Sequence, residues 1–464
     1  MTCLCVPALV LATCAVPATP TGLHKPTGLL VDGHQLSTSG TRGKAVAARA
    51  GMSGMDGGRR EQEAAGDDGS VPRTGSDDAN GDAPAPPPPE PEPAVAPDAV
   101  INLELGDPTM YEAFWREAGQ RAEVVIPGWW GTSYFSDAGS RPCWFLEPEL
   151  EREVRRVHRL VGNAAADDGY HLVVGNGATQ LFQAALYALS PAGADRPVGV
   201  VSAAPYYSSY PPQTDLLLSG YYRWAGDANA LDDGGDGHHI ELVCSPNNPD
   251  GAVREATLSG NGKAVHDLVY YWPQYAPIAG AAAHDVMLFT MSKITGHAGA
   301  RLGWALVKDR GVAEKMVYFV DRSSIGVSKD SQLRAAKILA VVSDAYYDDD
   351  GETRLRIFDF ARRRMAERWG RLRAAVAASG GAFSLPEETT GHCNFTKQTV
   401  AAYPALAWLR CEKEGVEDCA EFLRGHKIVA RGGEQFGGDA RCARVNMLDR
   451  DAVFDVLIHR ISSL

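Results

Sequence analysis

A lysine and an arginine stand eight residues apart in the glycine-rich stretch LFTMSKITGHAGARLGWAL. An apolar run ends at Lys293, and a turn with three glycines surrounds Arg301. A desolvated lysine near other positive charge has a lowered pKa and can form a Schiff base with an aldehyde. A guanidinium can bind a phosphate through two parallel hydrogen bonds. The pair therefore indicates a ligand that carries both an aldehyde and a phosphate.

A glycine turn before a predicted helix, GNGATQ, is a second candidate phosphate site. Gly177, Ala178 and Thr179 would offer backbone N–H groups and a hydroxyl at the helix N-terminus. Glycine turns before helices are common, so this feature is weak on its own. It is not a dinucleotide fingerprint, because GxGxxG requires glycine where Gln180 stands.

Two further stretches could hold a flat heteroaromatic ring. In HDLVYYW, Asp267 follows apolar residues and would need a cationic partner, such as a protonated pyridine nitrogen. Tyr270, in the same stretch, and Asn248, in SPNNPDG, could reach an oxygen on that ring. Each has an ordinary alternative, since aspartate can cap a helix and asparagine is common in turns.

The loop APYYSSY supplies aromatic side chains at the end of another apolar run. Either Tyr206 or Tyr207 could stack on the ring, or both could pack on the edge of the core. Taken in chain order, the phosphate turn, stacking aromatic, asparagine, aspartate, lysine and arginine predict pyridoxal phosphate chemistry.

Strands alternating with helices would position these residues. PVGVVSAAP, HIELVCSP, KAVHDLVYYW and DVMLFTMSK each predict a strand that ends near a candidate residue, whereas EPELEREVRRVHRLVG has helical periodicity. The alternation predicts an α/β fold with a mostly parallel, seven-stranded type of sheet. In such sheets, ligands lie outside the carboxyl ends of the strands.

Composition divides the chain into three regions. Residues 1–98 are rich in Gly, Ala, Pro, Ser and Asp, and we predict a disordered, low-complexity extension. Residues 99–330 are predicted to form an N-terminal arm and the large cofactor-binding domain. Residues 331–464 mix helices with short strands and predict a smaller α+β C-terminal domain.

Charge and cysteine usage limit the partners and the compartment. The net charge of −13 argues against sequence-independent nucleic-acid binding, and no apolar run is long enough to predict a membrane span. The 9 cysteines show no CxxC pair and predict free thiols in a reducing, cytoplasmic compartment. The N-terminal CLCVPALVLATCAVPA has an apolar core without a positive start, so targeting by the extension stays an alternative.

The chain resembles the plant family of tryptophan aminotransferase-related proteins and alliinases, which are fold-type I pyridoxal-phosphate enzymes. The resemblance covers residues 101–447. It rests on the stretches LELGDPTMYEAFW, SYFSD, CWFLEPELE, VVGNGATQL, ELVCSPNNPDG, VHDLVYYWPQY, LFTMSKITGHAGARLGWALVKD, SSIGVSKDSQLRAAKIL and ARVNML.

The resemblance implies a role for each candidate at the cofactor, pyridoxal 5'-phosphate. Lys293 would carry the Schiff base and move the proton, and Asp267 would keep the pyridine nitrogen protonated. Asn248 and Tyr270 would hold the phenolic oxygen, while Tyr207, or its rival Tyr206, stacks on the ring. The phosphate would be held by Gly177, Ala178, Thr179, Thr290 and Arg301.

Two implied residues extend the site beyond the cofactor. Tyr134 of SYFSD would reach the phosphate of a neighbouring subunit, which implies a homodimer with shared active sites. Arg444 of ARVNML would clamp the substrate carboxylate. Trp129 and Trp130 could line an indole pocket or belong to the subunit interface.

The family contains two chemistries on small amino acid substrates. Aminotransferases convert tryptophan to indole-3-pyruvate on the auxin route, with an oxo acid as acceptor, whereas alliinases eliminate a sulfenic acid from cysteine sulfoxides. Alliinases typically carry a cysteine-rich segment before the catalytic domain, and GDDGSVPRTGSDDANGDAPAPPPPEPEP has no cysteine. We therefore predict a tryptophan aminotransferase using pyruvate or 2-oxoglutarate, with a C–S lyase or a catalytically silent binding protein as alternatives.

Overall fold

The computed structural model describes residues 95–136, 139, 141–167, 169–231, 238–258, 262–347 and 355–464. Almost all of the predicted disordered extension, with Cys3, Cys5 and Cys14, lies outside these ranges. The described residues belong to one compact unit, Ala85–Leu464. The predicted domain boundary at residue 330 stays a prediction.

Fifteen strands occur in the described ranges. In chain order they are β1 (Ile101–Asn102), β2 (His171–Gly175), β3 (Val198–Ser202), β4 (Tyr222–Asp227), β5 (His239–Cys244), β6 (Lys263–Asp267), β7 (Val286–Thr290), β8 (Gly303–Val307), β9 (Phe383–Ser384), β10 (Thr390–Cys393), β11 (Gln398–Ala401), β12 (Leu406–Cys411), β13 (Ile428–Val429), β14 (Arg431–Gly432) and β15 (Cys442–Asn446).

The same ranges contain ten α-helices and several short 3-10 turns. The helices are α1 (Glu112–Ala118), α2 (Pro148–Val161), α3 (Gly177–Leu189), α4 (Tyr210–Asp215), α5 (Met291–Ile294), α6 (Arg310–Ser324), α7 (Lys329–Tyr347), α8 (Ile357–Ala378), α9 (Cys419–Gly425) and α10 (Asp451–Ile461).

Seven strands form the large sheet, in the order β2-β8-β7-β6-β5-β3-β4. Only β8 runs antiparallel to its neighbours β2 and β7, and the other adjacent pairs are parallel. All residues of β7 and β8 are buried, which explains why their sequences are almost entirely apolar. The predicted α/β class with a mostly parallel seven-stranded sheet is confirmed.

Helix α2 shows how local sequence and packing agree. Pro148 stands at its first position, where a missing N–H costs nothing, and Gly162 ends it in the left-handed conformation. Its apolar positions Leu150, Val154 and Val157 are each fully buried. The helix lies where the periodicity of the sequence predicts it.

The C-terminal residues build a smaller antiparallel sheet, in the order β14-β15-β12-β9. The N-terminal strand β1 pairs in parallel with β13, so the start of the described chain is anchored on this part. None of the helices in the described ranges is both long and apolar enough to span a membrane.

The prediction that all cysteines are free thiols is wrong for one pair. Cys411 ends β12 and Cys419 begins α9, and the two form a disulfide across a Cα–Cα distance of 5.5 Å. The turn between them brings the thiols together, which a spacing of eight residues in sequence does not reveal. The other cysteines within the described ranges, Cys143, Cys244, Cys393 and Cys442, are free and buried.

Candidate active site

A cavity of about 370 Å³ lies at the carboxyl ends of β5, β6 and β7. It gathers every predicted site residue of the chain except Gly177 and Tyr134. The predicted residues that line it are Ala178, Thr179, Tyr207, Asn248, Asp267, Tyr270, Thr290, Lys293, Arg301 and Arg444. Parallel strands bring their ends to one edge of the sheet, which is why residues so far apart in sequence meet here.

Lys293 extends into this cavity from α5, the single turn that follows β7. Its Nζ donates a hydrogen bond to the carbonyl oxygen of Gly106. Burial and then the positive charge of Arg444 lower the pKa of Lys293 from 10.5 to about 8. A substantial fraction of the amine is therefore neutral and nucleophilic near physiological pH.

Three buried side chains, Tyr111, Gln274 and Tyr275, form a hydrogen-bonded cluster that contacts the main chain of Lys293. Tyr275 donates its hydroxyl to the Lys293 carbonyl oxygen at 3.0 Å, and Gln274 donates to the same oxygen at 3.3 Å. The hydroxyls of Tyr111 and Tyr275 are 2.8 Å apart. Sequence reasoning missed this group, because buried tyrosines have no pattern that separates them from ordinary core residues.

Asp267 faces the cavity from the end of β6. Burial raises the pKa of its carboxyl from 3.8 to about 6. Tyr210 donates its hydroxyl to Asp267 Oδ2 at 2.8 Å, and burial keeps the pKa of this phenol well above its usual value, so it remains a donor. A carboxylate in such surroundings gains stability from a cationic partner. Tyr210 was missed, although it ends the APYYSSY loop.

Arg301 stands beside the N-terminus of α3. Its backbone is left-handed, with φ 48° and ψ 50°, which aims the side chain back towards Gly177. A Cβ on Gly177, whose φ is +78°, would lie 2.6 Å from Nη2 of Arg301. Gly177 therefore serves the site without lining it, because its positive φ favours glycine and a side chain there would displace the guanidinium. Ala178 and Thr179 line the cavity at the start of the same helix.

Thr290 lines the cavity, but its hydroxyl is occupied by the local turn. Its Oγ1 accepts from the backbone N–H of Ser292 at 3.2 Å and donates to the carbonyl oxygen of Leu302 at 3.3 Å. Ser292, which sequence reasoning passed over, also lines the cavity. Its position directly before Lys293 in the sequence could have identified it as a site residue. The predicted phosphate contact of Thr290 stays a prediction.

The structure distinguishes between the two neighbouring tyrosines. Tyr207 lines the cavity and packs edge-on against Tyr210 at 5.4 Å between ring centroids. Tyr206 lies outside the cavity lining and packs against Trp224 at 4.9 Å. Tyr207 is thus the one placed to meet a ligand ring, and Tyr206 belongs to the packing around β4.

Arg444 crosses the cavity from β15. Its Nη1 donates to Asn248 Oδ1 at 3.0 Å, and its Nη2 donates to the carbonyl oxygen of Glu104. Its Nε is buried and has no partner in the described structure. The Asn248 contact orients the amide so that its NH2 group is free to donate to a ligand. Arg431, not predicted, also lines the cavity and pairs with Glu104 at 3.1 Å.

The predicted aromatic residues before SYFSD are not brought to this cavity. Trp129 has three quarters of its surface exposed, and Trp130 is only partly buried. The alternative of an indole pocket in the same chain is therefore not supported, and the interface alternative stays a prediction. Tyr134 is 70% exposed and lies outside the cavity lining of its own chain, so its predicted contact with a neighbouring subunit also stays a prediction.

The cavity has the donor set that pyridoxal phosphate requires. Lys293 suits the aldehyde, Asp267 suits the pyridine nitrogen, and Arg301 with the start of α3 suits the phosphate. The fold is similar to that of an Escherichia coli enzyme described as having a methionine aminotransferase function, with a TM-score of 0.54 at 15% identity over 80% of this chain and 94% of that one. Fold and site together define a fold-type I enzyme whose cofactor is pyridoxal phosphate.

The chain belongs to the allinase family, whose model (Alliinase_C) matches residues 101–464. A rice protein named tryptophan aminotransferase-related protein 2 (Oryza sativa subsp. japonica) is 65% identical over 384 residues, which is 80% of this chain and 75% of that protein. An alliin lyase of Allium cepa var. aggregatum is 36% identical over 360 residues, 76% of this chain and 79% of the lyase. The predicted family is confirmed, and the rice protein is more similar to this chain than the alliin lyase is.

The lowered pKa of Lys293 predicts a pH profile for the cofactor-free protein. We expect the rate at which a small amine-reactive reagent modifies Lys293 to rise with pH and to reach half its maximum near pH 8. The reason is that only the neutral amine reacts, and it predominates above the pKa. Mass spectrometry of the Lys293 peptide after timed exposure measures this.

The control for that profile is Arg444→Met. Because the arginine's charge lowers the pKa of Lys293, its removal should move the half-point to higher pH. A half-point near the ordinary lysine value of 10.5 in the unaltered protein would contradict the role of burial.

Proposed function

We propose that this chain is an L-tryptophan aminotransferase that forms indole-3-pyruvate, with pyruvate or 2-oxoglutarate as the amino acceptor, on the route to auxin. The observation that carries the proposal is the intact donor set around Lys293 in a chain 65% identical to a tryptophan aminotransferase-related protein. The identity to alliin lyase is much lower, at 36%. This difference favours transamination over elimination.

The residues of the cavity would each have a separate role in transamination. Pyridoxal phosphate, when bound, supplies the electron sink that makes the Cα proton of the substrate acidic. Lys293 would accept and release the substrate's Cα proton, and its lowered pKa suits both roles. Asp267 would pair with the pyridine nitrogen and favour its protonated form. Tyr270, whose pKa burial raises, remains a phenol that donates to the ring oxygen together with Asn248.

Arg444 binds the carboxylate of the amino acid and of each oxo acid. All of these molecules carry a carboxylate beside the reacting carbon, so a single guanidinium serves both halves of a ping-pong cycle. Its unpartnered Nε and its position between Asn248 and the cavity suit this task. Burial excludes competing water, which strengthens the pairing.

Arg444→Lys tests this assignment. We expect KM for tryptophan and for the oxo acid to rise about 10- to 100-fold, because a bidentate charge-assisted contact is replaced by a point charge. Pyridoxal phosphate affinity should change little. Steady-state kinetics and a cofactor titration separate the two effects, and Arg441→Lys, which lies outside the cavity lining, is the matched control. An unchanged KM would remove Arg444 from the substrate site.

The function itself is tested with purified holoenzyme and L-tryptophan alone. Transamination predicts one equivalent of indole-3-pyruvate per active site and conversion of the cofactor to pyridoxamine phosphate. Adding pyruvate or 2-oxoglutarate should then restore the pyridoxal form and allow multiple turnovers. Absence of this half-reaction, with steady release of pyruvate and ammonia from a cysteine sulfoxide and no acceptor, would establish the lyase instead.

The active unit in this proposal is a homodimer whose partner supplies Tyr134. In the single chain the Tyr134 side chain is exposed, which supports its assignment to the neighbouring subunit's site. Two inactive variants, Tyr134→Ala and Lys293→Ala, should regain part of the activity when they are refolded together, because a mixed dimer contains one site with neither change. No recovery in mixed dimers isolated with two affinity tags would contradict shared sites.

We also propose a cytoplasmic location. Fluorescent fusions of the full chain and of residues 99–464 should show the same diffuse cytoplasmic distribution. A different location for the full chain would show that the extension is a targeting segment.

A further inference from the structure

Glu255, His266 and His284 form a cluster behind the catalytic strand. One ligand atom from each lies within 4.8 Å of the other two. His266 directly precedes Asp267 in β6, and successive side chains of a strand point to opposite faces of the sheet. The cluster is therefore on the far side of β6 from the active-site cavity, and His284 and Glu255 line a separate groove there.

His266 is the fixed member of the cluster. Only 6% of its surface is exposed, and its Nδ1 is buried without any hydrogen-bond partner in the described structure. Buried polar nitrogens are almost always paired, so an orphaned imidazole nitrogen needs an explanation. A ligand that accepts its lone pair would provide one.

The two imidazoles are stacked face to face. Their ring centroids are 3.4 Å apart and their planes differ by 6°. Imidazole nitrogens are the commonest protein ligands of transition metals, and this stacking holds two of them side by side.

We propose that Glu255, His266 and His284 bind a divalent transition-metal ion of the zinc type. Two imidazole nitrogens and one carboxylate oxygen, with water in the fourth position, match the ligand preferences of Zn²⁺. A bound metal lies in the plane of each ring, so one ring must rotate out of the stack. His284 is only half-buried and Glu255 is exposed, so these two move while His266 stays.

The metal would tie the segment after β5 to two strands, β6 and β7, that already pair with each other in the sheet. Glu255 belongs to the segment between β5 and β6, and His284 lies two residues before β7. That segment is already anchored where Thr257 and Leu258 donate backbone N–H groups to the Glu241 carboxylate. A metal beside it would join the segment, β6 and the start of β7, and so stabilise the strand that carries Asp267. It takes no part in the reaction.

The test is metal binding by untagged holoenzyme stripped with EDTA and desalted. Equilibrium dialysis against Zn²⁺, followed by elemental analysis, should give a single tightly bound ion per chain and a higher Tm. Co²⁺ should give the visible absorbance of a tetrahedral site. Glu255→Gln and His284→Ala should weaken Zn²⁺ binding at least about tenfold and abolish the Tm shift.

His459→Ala, an exposed histidine on α10, is the matched control and should bind Zn²⁺ like the unaltered enzyme. Glu255→Gln changes an exposed side chain, so it keeps the test valid if the histidine variant folds poorly. Equal binding by all variants would place the metal elsewhere and overturn the proposal. Absence of stoichiometric binding at micromolar Zn²⁺ would also overturn it. Neither result depends on whether tryptophan is the substrate.

Discussion

Lys293→Arg is expected to lower kcat for tryptophan transamination by about 10⁴-fold or more, because it removes both a nucleophile and a general acid–base group. Arginine keeps a positive charge in the cavity but cannot be deprotonated in a protein. The change therefore separates the charge of Lys293 from its chemistry. Single-turnover formation of indole-3-pyruvate, followed by chromatography, measures the loss.

The matched control for that variant is Lys308→Arg, an exposed lysine just after β8. Its activity should equal that of the unaltered enzyme. Asp267 and Arg301 remain in place in Lys293→Arg, so non-covalent retention of pyridoxal phosphate should persist and can be checked by equilibrium dialysis. Activity within tenfold of the unaltered enzyme would exclude Lys293 as the proton carrier.

Asp267→Asn is expected to have opposite effects on the cofactor-free and cofactor-bound proteins. Burial raises the pKa of the carboxyl from 3.8 to about 6, so ionising Asp267 in the folded state costs free energy. Stability from this group is fully present below pH 3.8 and is lost as pH rises through about 6. Above that pH, the neutral asparagine should raise the free energy of unfolding of the cofactor-free protein by up to about 3 kcal/mol.

In the cofactor-bound enzyme the same change removes the partner of the pyridine nitrogen. We expect weaker pyridoxal phosphate binding and a kcat lower by roughly 10²-fold or more, since the ring loses its protonated form. Urea unfolding of the cofactor-free protein between pH 4 and pH 8 measures the first effect, and cofactor titration with kinetics measures the second.

Asp250→Asn provides the control, because this aspartate is ion-paired with Arg254 outside the cavity. It should give no gain in stability at high pH. If the cofactor-free Asp267→Asn protein is less stable than the unaltered protein at every pH, ionisation of the buried carboxyl does not destabilise the folded state.

Much of the fold followed from patterns within the sequence. The apolar runs of β5, β6 and β7 and the periodicity of α2 are local signals, and the strands end where polar residues begin. Since parallel strands align their carboxyl ends, the order of Asn248, Asp267 and Lys293 was enough to place them in one cavity. The family resemblance added Arg444, which lies far along the chain on a different sheet.

Contacts between distant segments could not be predicted in this way. Tyr210 reaches Asp267 across 57 residues of sequence, and Tyr111 meets Tyr275 across 164. The disulfide depends on the turn that joins β12 to α9. None of these pairs has a characteristic spacing, because each depends on how whole elements pack.

The sequence by itself determined which kind of residue ends each strand of the sheet, and hence the family, the fold and the cofactor. Only the tertiary structure decided that Tyr207 rather than Tyr206 lines the cavity. It also decided that the Thr290 hydroxyl is hydrogen-bonded within a local turn, and that Glu255 lies beside two histidines behind β6. The physical reason is that strand and turn preferences act between near neighbours, whereas side-chain partners are selected by close packing among segments remote in sequence.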